Sequence, residues 1–162
     1  MRRSTTTNSL ALIQKLKSWT DFQKVAQQVQ LLEKEVFTSS AWSDDVWKGL
    51  FENRNLLFIS VTRDDSHTGF AVCSLIDHEA ELLRIVVKSN RRKQGFGKAL
   101  LSAASDELRS QQVNKLYLEV REDNISACAF YEACGFEKVG LRKKYYKDPV
   151  CDAVQMKLTI TG

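Results

Sequence analysis

Leu82–Leu101, LLRIVVKSNRRKQGFGKALL, decides how this chain is read. Leu82 to Val87 is apolar and rich in β-branched residues, which predicts a buried strand. A basic loop follows, reaches Gly95-Phe96-Gly97, and opens a segment with helical spacing: Leu100, Leu101, Ala104 and Leu108 inside, Lys98, Ser102, Asp106 and Arg109 outside. A strand, a glycine loop and a helix start together form an anion site. The first N–H groups of a helix lack intrahelical partners and lie at the positive end of its dipole.

Two common phosphate motifs fail here. A dinucleotide fingerprint needs a third glycine where Leu100 stands. A Walker loop needs glycine at Arg92 and Ser or Thr at Ala99. What remains is Arg92-x-x-Gly95-x-Gly97, which taken alone is also compatible with a plain strand-to-helix turn with basic residues in water.

Outward from this loop the chain alternates helices and strands. Residues 1–9 are polar and expected to be frayed, leaving 10–162 as a single domain. Leu10 to Ser18 reads as a strand or a helix. Thr20 or Asp21 is expected to cap a helix reaching Phe37, Ser39-Ser40-Ala41 to break it, and Ser43 to cap a short helix with Trp47, Leu50 and Phe51 inward. Strands are expected at Leu56–Thr62, Gly69–Ile76, Glu81–Val87, Lys115–Val120, Phe136–Leu141 and Ala153–Ile160, with a turn at Arg63–Thr68. The last strand alternates apolar and polar residues, as a half-exposed strand near an edge does. Asn124 to Cys134 reads as a helix stopped by Gly135. The fold class is therefore α/β (α+β): a mixed sheet of six to seven strands with helices on both faces.

Composition narrows the function classes. The chain has 162 residues, 43% hydrophobic and 27% charged, with net charge +4, as in ordinary globular proteins. That charge suits an anionic ligand without demanding nucleic acid; DNA is not expected as a partner, nor is a membrane, because no apolar run approaches ~20 residues. Cys73, Cys128, Cys134 and Cys151 have no metal-ligand spacing, so neither a metal nor a disulfide framework is expected, and the expected compartment is a reducing cytoplasm.

The Arg92–Lys98 loop resembles the acetyl-CoA-binding motif of the GNAT superfamily of N-acetyltransferases, Q/R-x-x-G-x-G/A. Downstream, LEVREDNISACAFYEACGFEKVGLRKKYY (residues 118–146) is similar to the ribosomal-protein-alanine N-acetyltransferase branch, with its L-E-V-R strand end, N-x-x-A-x-x-x-Y-E-x-x-G-F and paired tyrosines. Ala41-Trp42-Ser43 resembles the branch's P-W-S, with alanine for proline. The resemblance runs from about Glu33 to the C-terminus, and implies a mostly antiparallel GNAT-like sheet and acetyl-CoA as cosubstrate.

Acetyl transfer to an amine requires the carrier's phosphates held, the amine deprotonated, an oxyanion stabilised and a thiolate protonated. Backbone N–H groups of Lys93, Gln94, Gly95, Phe96, Gly97 and Lys98 are candidates for the pyrophosphate, with charge from Arg91, Arg92, Lys93 or Lys98. The resemblance assigns Ile85, Val86 and Val87 to the pantetheine arm and the thioester carbonyl. Glu119 shares a strand face with Tyr117, opposite Leu116, Leu118 and Val120. Its plain reading is pairing with Arg121 or another cation; partial desolvation would instead suit a general base, the role the resemblance implies. Tyr131 reads as a core aromatic, and the resemblance makes it the general acid for the thiolate. Asn124 is an N-cap by position and a coenzyme contact by resemblance. Trp42, Tyr145 and Tyr146 are candidates for the acceptor channel. Asp44, Asp45, Glu122 and Asp123 are acidic groups able to attract a basic peptide. The cysteines read as small core residues rather than acetyl carriers.

The branch's acceptor is the N-terminal alanine of small-subunit ribosomal protein S18, and an α-amine (pKa ~7.7–8.0) deprotonates more easily than lysine (~10.4). Lysine side chains, small-molecule amines and a non-catalytic acyl-CoA-binding role remain open.

Overall fold

The computed structural model describes residues 11–53 and 55–160; the expected frayed segment 1–9, and Leu10 of the expected first strand, lie outside them. In chain order the elements are β1 (Leu12–Leu16), α1 (Trp19–Gln23), α2 (Ala26–Phe37), α3 (Asp44–Glu52), β2 (Leu56–Arg63), β3 (Ser66–Ile76), β4 (Glu79–Val87), α4 (Phe96–Ser110), β5 (Lys115–Arg121), α5 (Ile125–Ala133), β6 (Glu137–Lys147) and β7 (Val150–Thr159). One seven-stranded sheet runs β1-β2-β3-β4-β5-β7-β6. All neighbours are antiparallel except β4 and β5, which α4 joins as a crossover.

Alternating side chains give the sheet two buried faces. On one, Leu57, Ile59, Val61, Ala71, Leu82, Leu116 and Leu118 meet Leu100, Leu101, Ala104 and Leu108 of α4. On the other, Phe58, Phe70, Val72 and Val86 meet Phe22, Val29, Leu32 and Trp47 from α1–α3. The second core is aromatic: Phe22 stacks on Trp47 at 4.7 Å and Phe58 on Phe70 at 5.6 Å. Each such pair adds ~0.5–1.5 kcal/mol beyond its burial.

Four local expectations change. The single helix to Phe37 is two helices, because Val25 leaves helical geometry (φ −121°, ψ −1°) between them. Ser18, not Thr20 or Asp21, is the cap, its Oγ accepting from Asp21 N at 3.1 Å. The expected turn at 63–68 shrinks to Asp64 and Asp65, both at positive φ, so that β2 and β3 extend almost to the tip. β6 runs on through Tyr145 and Tyr146, and β7 is one strand in from the edge, covered by it.

Two irregularities position the site. Val72 of β3 faces Arg84 while Cys73 faces Leu82, so Leu83 is an extra residue in β4. This bulge leaves Leu82 in the α4 core, turns Leu83 to the α1–α3 core, and sends Arg84 toward Glu33 of α2. In addition, β4 and β5 pair only over Glu79–Glu81 and Lys115–Tyr117. Past those three pairs the strands splay, and β4 from Leu82 to Val87 has an open backbone edge facing β5.

Candidate active site

The open edge of β4 leads directly to the glycine loop. Arg92 Nε donates to Val87 O at 3.1 Å, and Gln94 Nε2 to Asn90 O at 3.2 Å, folding the loop back onto the strand end. Gly95 is the N-cap of α4 at φ 87°, and the helical ladder begins with Ala99 N donating to Gly95 O at 2.9 Å. The N–H groups of Gly95, Phe96, Gly97 and Lys98 therefore have no intrahelical partner. Gly97 also allows close packing: a Cβ there would lie 3.0 Å from Phe130 Cζ of α5.

The side chains around this cradle divide by role. Phe96 is buried in the α4 core, so it offers only its backbone N–H. Arg91 is engaged by Asp64 at 3.0 Å, while Lys93 and Lys98 are exposed and free to move toward an anion. Asn124 takes the capping role: its Oδ1 accepts from Ala127 N at 3.1 Å, which leaves its amide nitrogen free to donate to a ligand.

Glu119 lies beyond the splay. Leu116, Leu118 and Val120 of β5 are buried toward α4, and Tyr117 and Glu119 point the other way, as alternation requires. Its Oε1 accepts from Arg142 Nη1 at 2.8 Å and from Gln155 Nε2 at 3.1 Å, Gln155 being directly opposite in the β5–β7 register. Arg142 stacks over Tyr145 at 4.1 Å. The expected cation is thus Arg142 and not Arg121, which grips Asp123 through two bonds of 2.8 and 2.9 Å. A groove of about 530 Å³ opens beside Glu119, with Glu79, Glu81, Tyr117, Arg142 and Gln155 among its lining.

Tyr131 is on the opposite side of the sheet. It belongs to the α4 core, with its ring 5.3 Å from Phe130 and 5.5 Å from Phe136. Burial, reinforced by Cys128, Cys134 and Tyr146 nearby, pushes its phenol far above the ordinary tyrosine range. The phenol is fully protonated at neutral pH. Burial and then Glu119 also raise Tyr146, whose phenol is thus within electrostatic reach of both Glu119 and Tyr131. The β4–β5 splay is the opening between these two faces.

Other expectations resolve differently. Trp42 packs edge-on against Trp47 at 5.0 Å and under the Arg84 guanidinium at 4.6 Å, outside the Glu119 groove lining. Asp44 is bound by Gln30, and Asp123 by Arg121; the groove's carboxylates are Glu119, Glu79, which Lys115 engages at 2.9 Å, and Glu81, and spacing did not single out the last two. All four cysteines are free. Burial pushes Cys73 up to about 12 and raises Cys128 and Cys134, so none of these three is an activated nucleophile. Among the described residues no cluster of metal-ligating side chains occurs.

A family profile described as the acetyltransferase (GNAT) family matches residues 15–136. The ribosomal protein bS18-alanine N-acetyltransferase of Escherichia coli (strain K12) is 36% identical over 122 residues, covering 74% of this chain and 82% of that protein. Its counterpart in Salmonella typhimurium (strain LT2) is 35% identical over 105 residues, 65% of this chain and 70% of that one. In the crystal structure of the ribosomal-protein-S18-alanine N-acetyltransferase from Escherichia coli, 96% of the chain superposes on 94% of this one, with TM-score 0.79 and 31% identity. An aminoglycoside 6'-N-acetyltransferase complexed with coenzyme A shares the fold, with TM-score 0.78, 18% identity, and 93% of this chain and 98% of that one covered.

Proposed function

This chain belongs to the GNAT acetyltransferase family and transfers acetyl groups from acetyl-CoA; from that premise we propose that its acceptor is the N-terminal α-amine of a protein, an N-terminal alanine such as that of ribosomal protein S18. The observation that carries the reading is the splay of β4 from β5. It joins the open β4 edge to Glu119 on one face of the sheet and to Tyr131 on the other, so donor and acceptor can meet between the strands.

In this reading the pyrophosphate rests on the Gly95–Lys98 N–H groups, and the positive end of α4 favours its charge. The pantetheine arm lies along Ile85–Val87 as an added strand, using backbone groups that β5 leaves free. The acceptor enters from the groove face. Glu119 takes a proton from its ammonium, and the neutral amine attacks the thioester carbon. An N–H of the β4 edge stabilises the developing oxyanion. The carbon–sulfur bond breaks, Tyr131 gives its proton to the departing thiolate, and the second N–H proton of the attacking nitrogen passes to the phenolate so formed, which leaves a neutral amide. A phenol is already protonated at neutral pH, as an acid must be. Arg142 holds Glu119 in the resting site, and Tyr145 and Tyr146 flank the acceptor's path. The carboxylate of Glu81 suits a basic polypeptide, while Lys115 offsets the charge of Glu79 and the chain as a whole is positive. The names of the 36% and 35% identical relatives support alanine at the acceptor's first position.

The test is acetyl-CoA-dependent thiol release with peptides starting with Ala, Ser or Met, N-blocked lysine peptides, and polyamines. Ala-starting peptides are expected to react fastest. Release with polyamines alone refutes the protein acceptor.

A further inference from the structure

Arg84 has no part in the chemistry above, yet the β4 bulge delivers its guanidinium to the acceptor side. We propose that Arg84 is a positioning residue: it clamps the 37–42 segment against the open edge of β4 and thereby governs acceptor rather than donor recognition. This rests on the acyl-transfer reading of that edge.

Three of Arg84's contacts fall on one short stretch of chain. Its Nη2 donates to Ser40 O at 2.8 Å, and its Cζ lies 3.9 Å from the Phe37 ring and 4.6 Å from the Trp42 ring. The fourth is Glu33 of α2, whose Oε1 is 3.5 Å from Nε, outside hydrogen-bond geometry, so that Nε–H has no hydrogen-bond partner. Glu33 grips the same stretch from behind: Oε1 accepts from Trp42 N and Oε2 from Trp47 Nε1, both at 3.1 Å. The segment held between them is strained. Thr38, a β-branched residue, sits at φ 43° and ψ −107°, which persists only where the surroundings enforce it.

Electrostatics argue that geometry, not stability, is what the pair provides. Burial raises the Glu33 carboxyl and lowers the Arg84 guanidinium, each opposite in sense to what mutual attraction alone would do. A buried pair of this kind is costly, and an apolar replacement is often no less stable. What a planar guanidinium adds is simultaneous stacking on two rings and a directed bond to a carbonyl, which a lysine ammonium cannot reproduce. The location gives that geometry a purpose. Arg84 immediately precedes Ile85–Val87, and Tyr146 lies within its electrostatic reach from β6. The clamp therefore fixes the 37–42 segment on the face of β4 from which the acceptor approaches, immediately before Ile85–Val87.

The test compares Arg84→Lys and Glu33→Gln with wild type in the full chain. Each KM is measured at a saturating level of the other substrate, with circular dichroism as the folding control. Arg84→Lys is expected to raise the acceptor KM at least ~10-fold, as loss of a directed charge-assisted bond predicts, with the acetyl-CoA KM within about two-fold of wild type. Glu33→Gln keeps an oxygen for the Trp42 N–H but removes the charge facing Arg84 and the acceptor for Trp47 Nε1; a smaller rise in acceptor KM is expected. Donor and acceptor KM rising together, or neither changing, overturns the proposal, and Glu33→Gln decides it should Arg84→Lys fail to fold. A wild type that ignores peptides and acetylates polyamines refutes the protein acceptor instead; the same comparison with polyamine then decides the role of Arg84.

Discussion

Replacing Gly95 with alanine isolates the backbone conformation of the anion cradle. Gly95 caps α4 at φ 87° and ψ −5°, and a Cβ built there meets nothing within 4 Å. The cost is therefore conformational and not steric. An L-residue in the left-handed region costs ~1–2 kcal/mol, and alanine at an N-cap is worse than glycine by several tenths more. A loss of about 2 kcal/mol lowers the melting temperature of a chain this size by roughly 4–8 °C. The effect on binding is larger if the loop relieves the strain by rotating out of the left-handed region. One N–H group then leaves the pyrophosphate, worth ~1.5–3 kcal/mol against a charged acceptor. The Kd for acetyl-CoA is expected to rise roughly 10- to 100-fold. Calorimetric titration and thermal scans of wild type, Gly95→Ala and Gly95→Asn measure both effects. Asparagine visits the left-handed region more readily than alanine, so Gly95→Asn should fall between the other two. Wild-type coenzyme affinity in Gly95→Ala, or Gly95→Asn weaker than Gly95→Ala, refutes the cradle.

Tyr131→Phe should lower kcat by ~10²–10⁴ with coenzyme affinity unchanged; followed by thiol release, an undiminished kcat removes Tyr131 as the acid. Glu119→Gln keeps an oxygen for Arg142 and Gln155 and loses the proton acceptor, so kcat at neutral pH should fall by a similar ~10²–10⁴ while the melting temperature holds. Full activity in that variant excludes Glu119 as base. His67 is buried with Nδ1 unpartnered, and burial holds its imidazole below the ordinary value. The unfolded chain then takes up a proton that the folded chain resists, so stability is lost as pH falls below about 6.5. Melting temperatures between pH 7.5 and 5.5 should fall less steeply in His67→Gln; parallel slopes refute the assignment.

Much of the fold was legible because each strand and helix carries its own period. Leu116, Leu118 and Val120 turned out buried as their alternation required, and Ser43, Asn124 and Gly135 mark helix ends through local chemistry. The break at Val25 was not legible, since the apolar spacing of Phe22, Val29 and Leu32 continues across it. Nor was the partner of Glu119. Arg121 is two residues away in sequence, whereas Arg142 and Gln155 reach Glu119 only because β7 and β6 lie beside β5.

The sequence by itself determined the glycine loop, the strand before it and the helix after it, because backbone freedom and hydrophobic period are properties of neighbours along the chain. It also placed Glu119 and Tyr131 on a strand and a helix of known spacing. Only the tertiary structure decided that the two candidates lie on opposite faces of one sheet, that β4 and β5 part after three pairs, and that a bulge turns Arg84 onto Trp42. Those are consequences of register and strand order, which depend on contacts between residues far apart in the chain and leave no periodic trace within it.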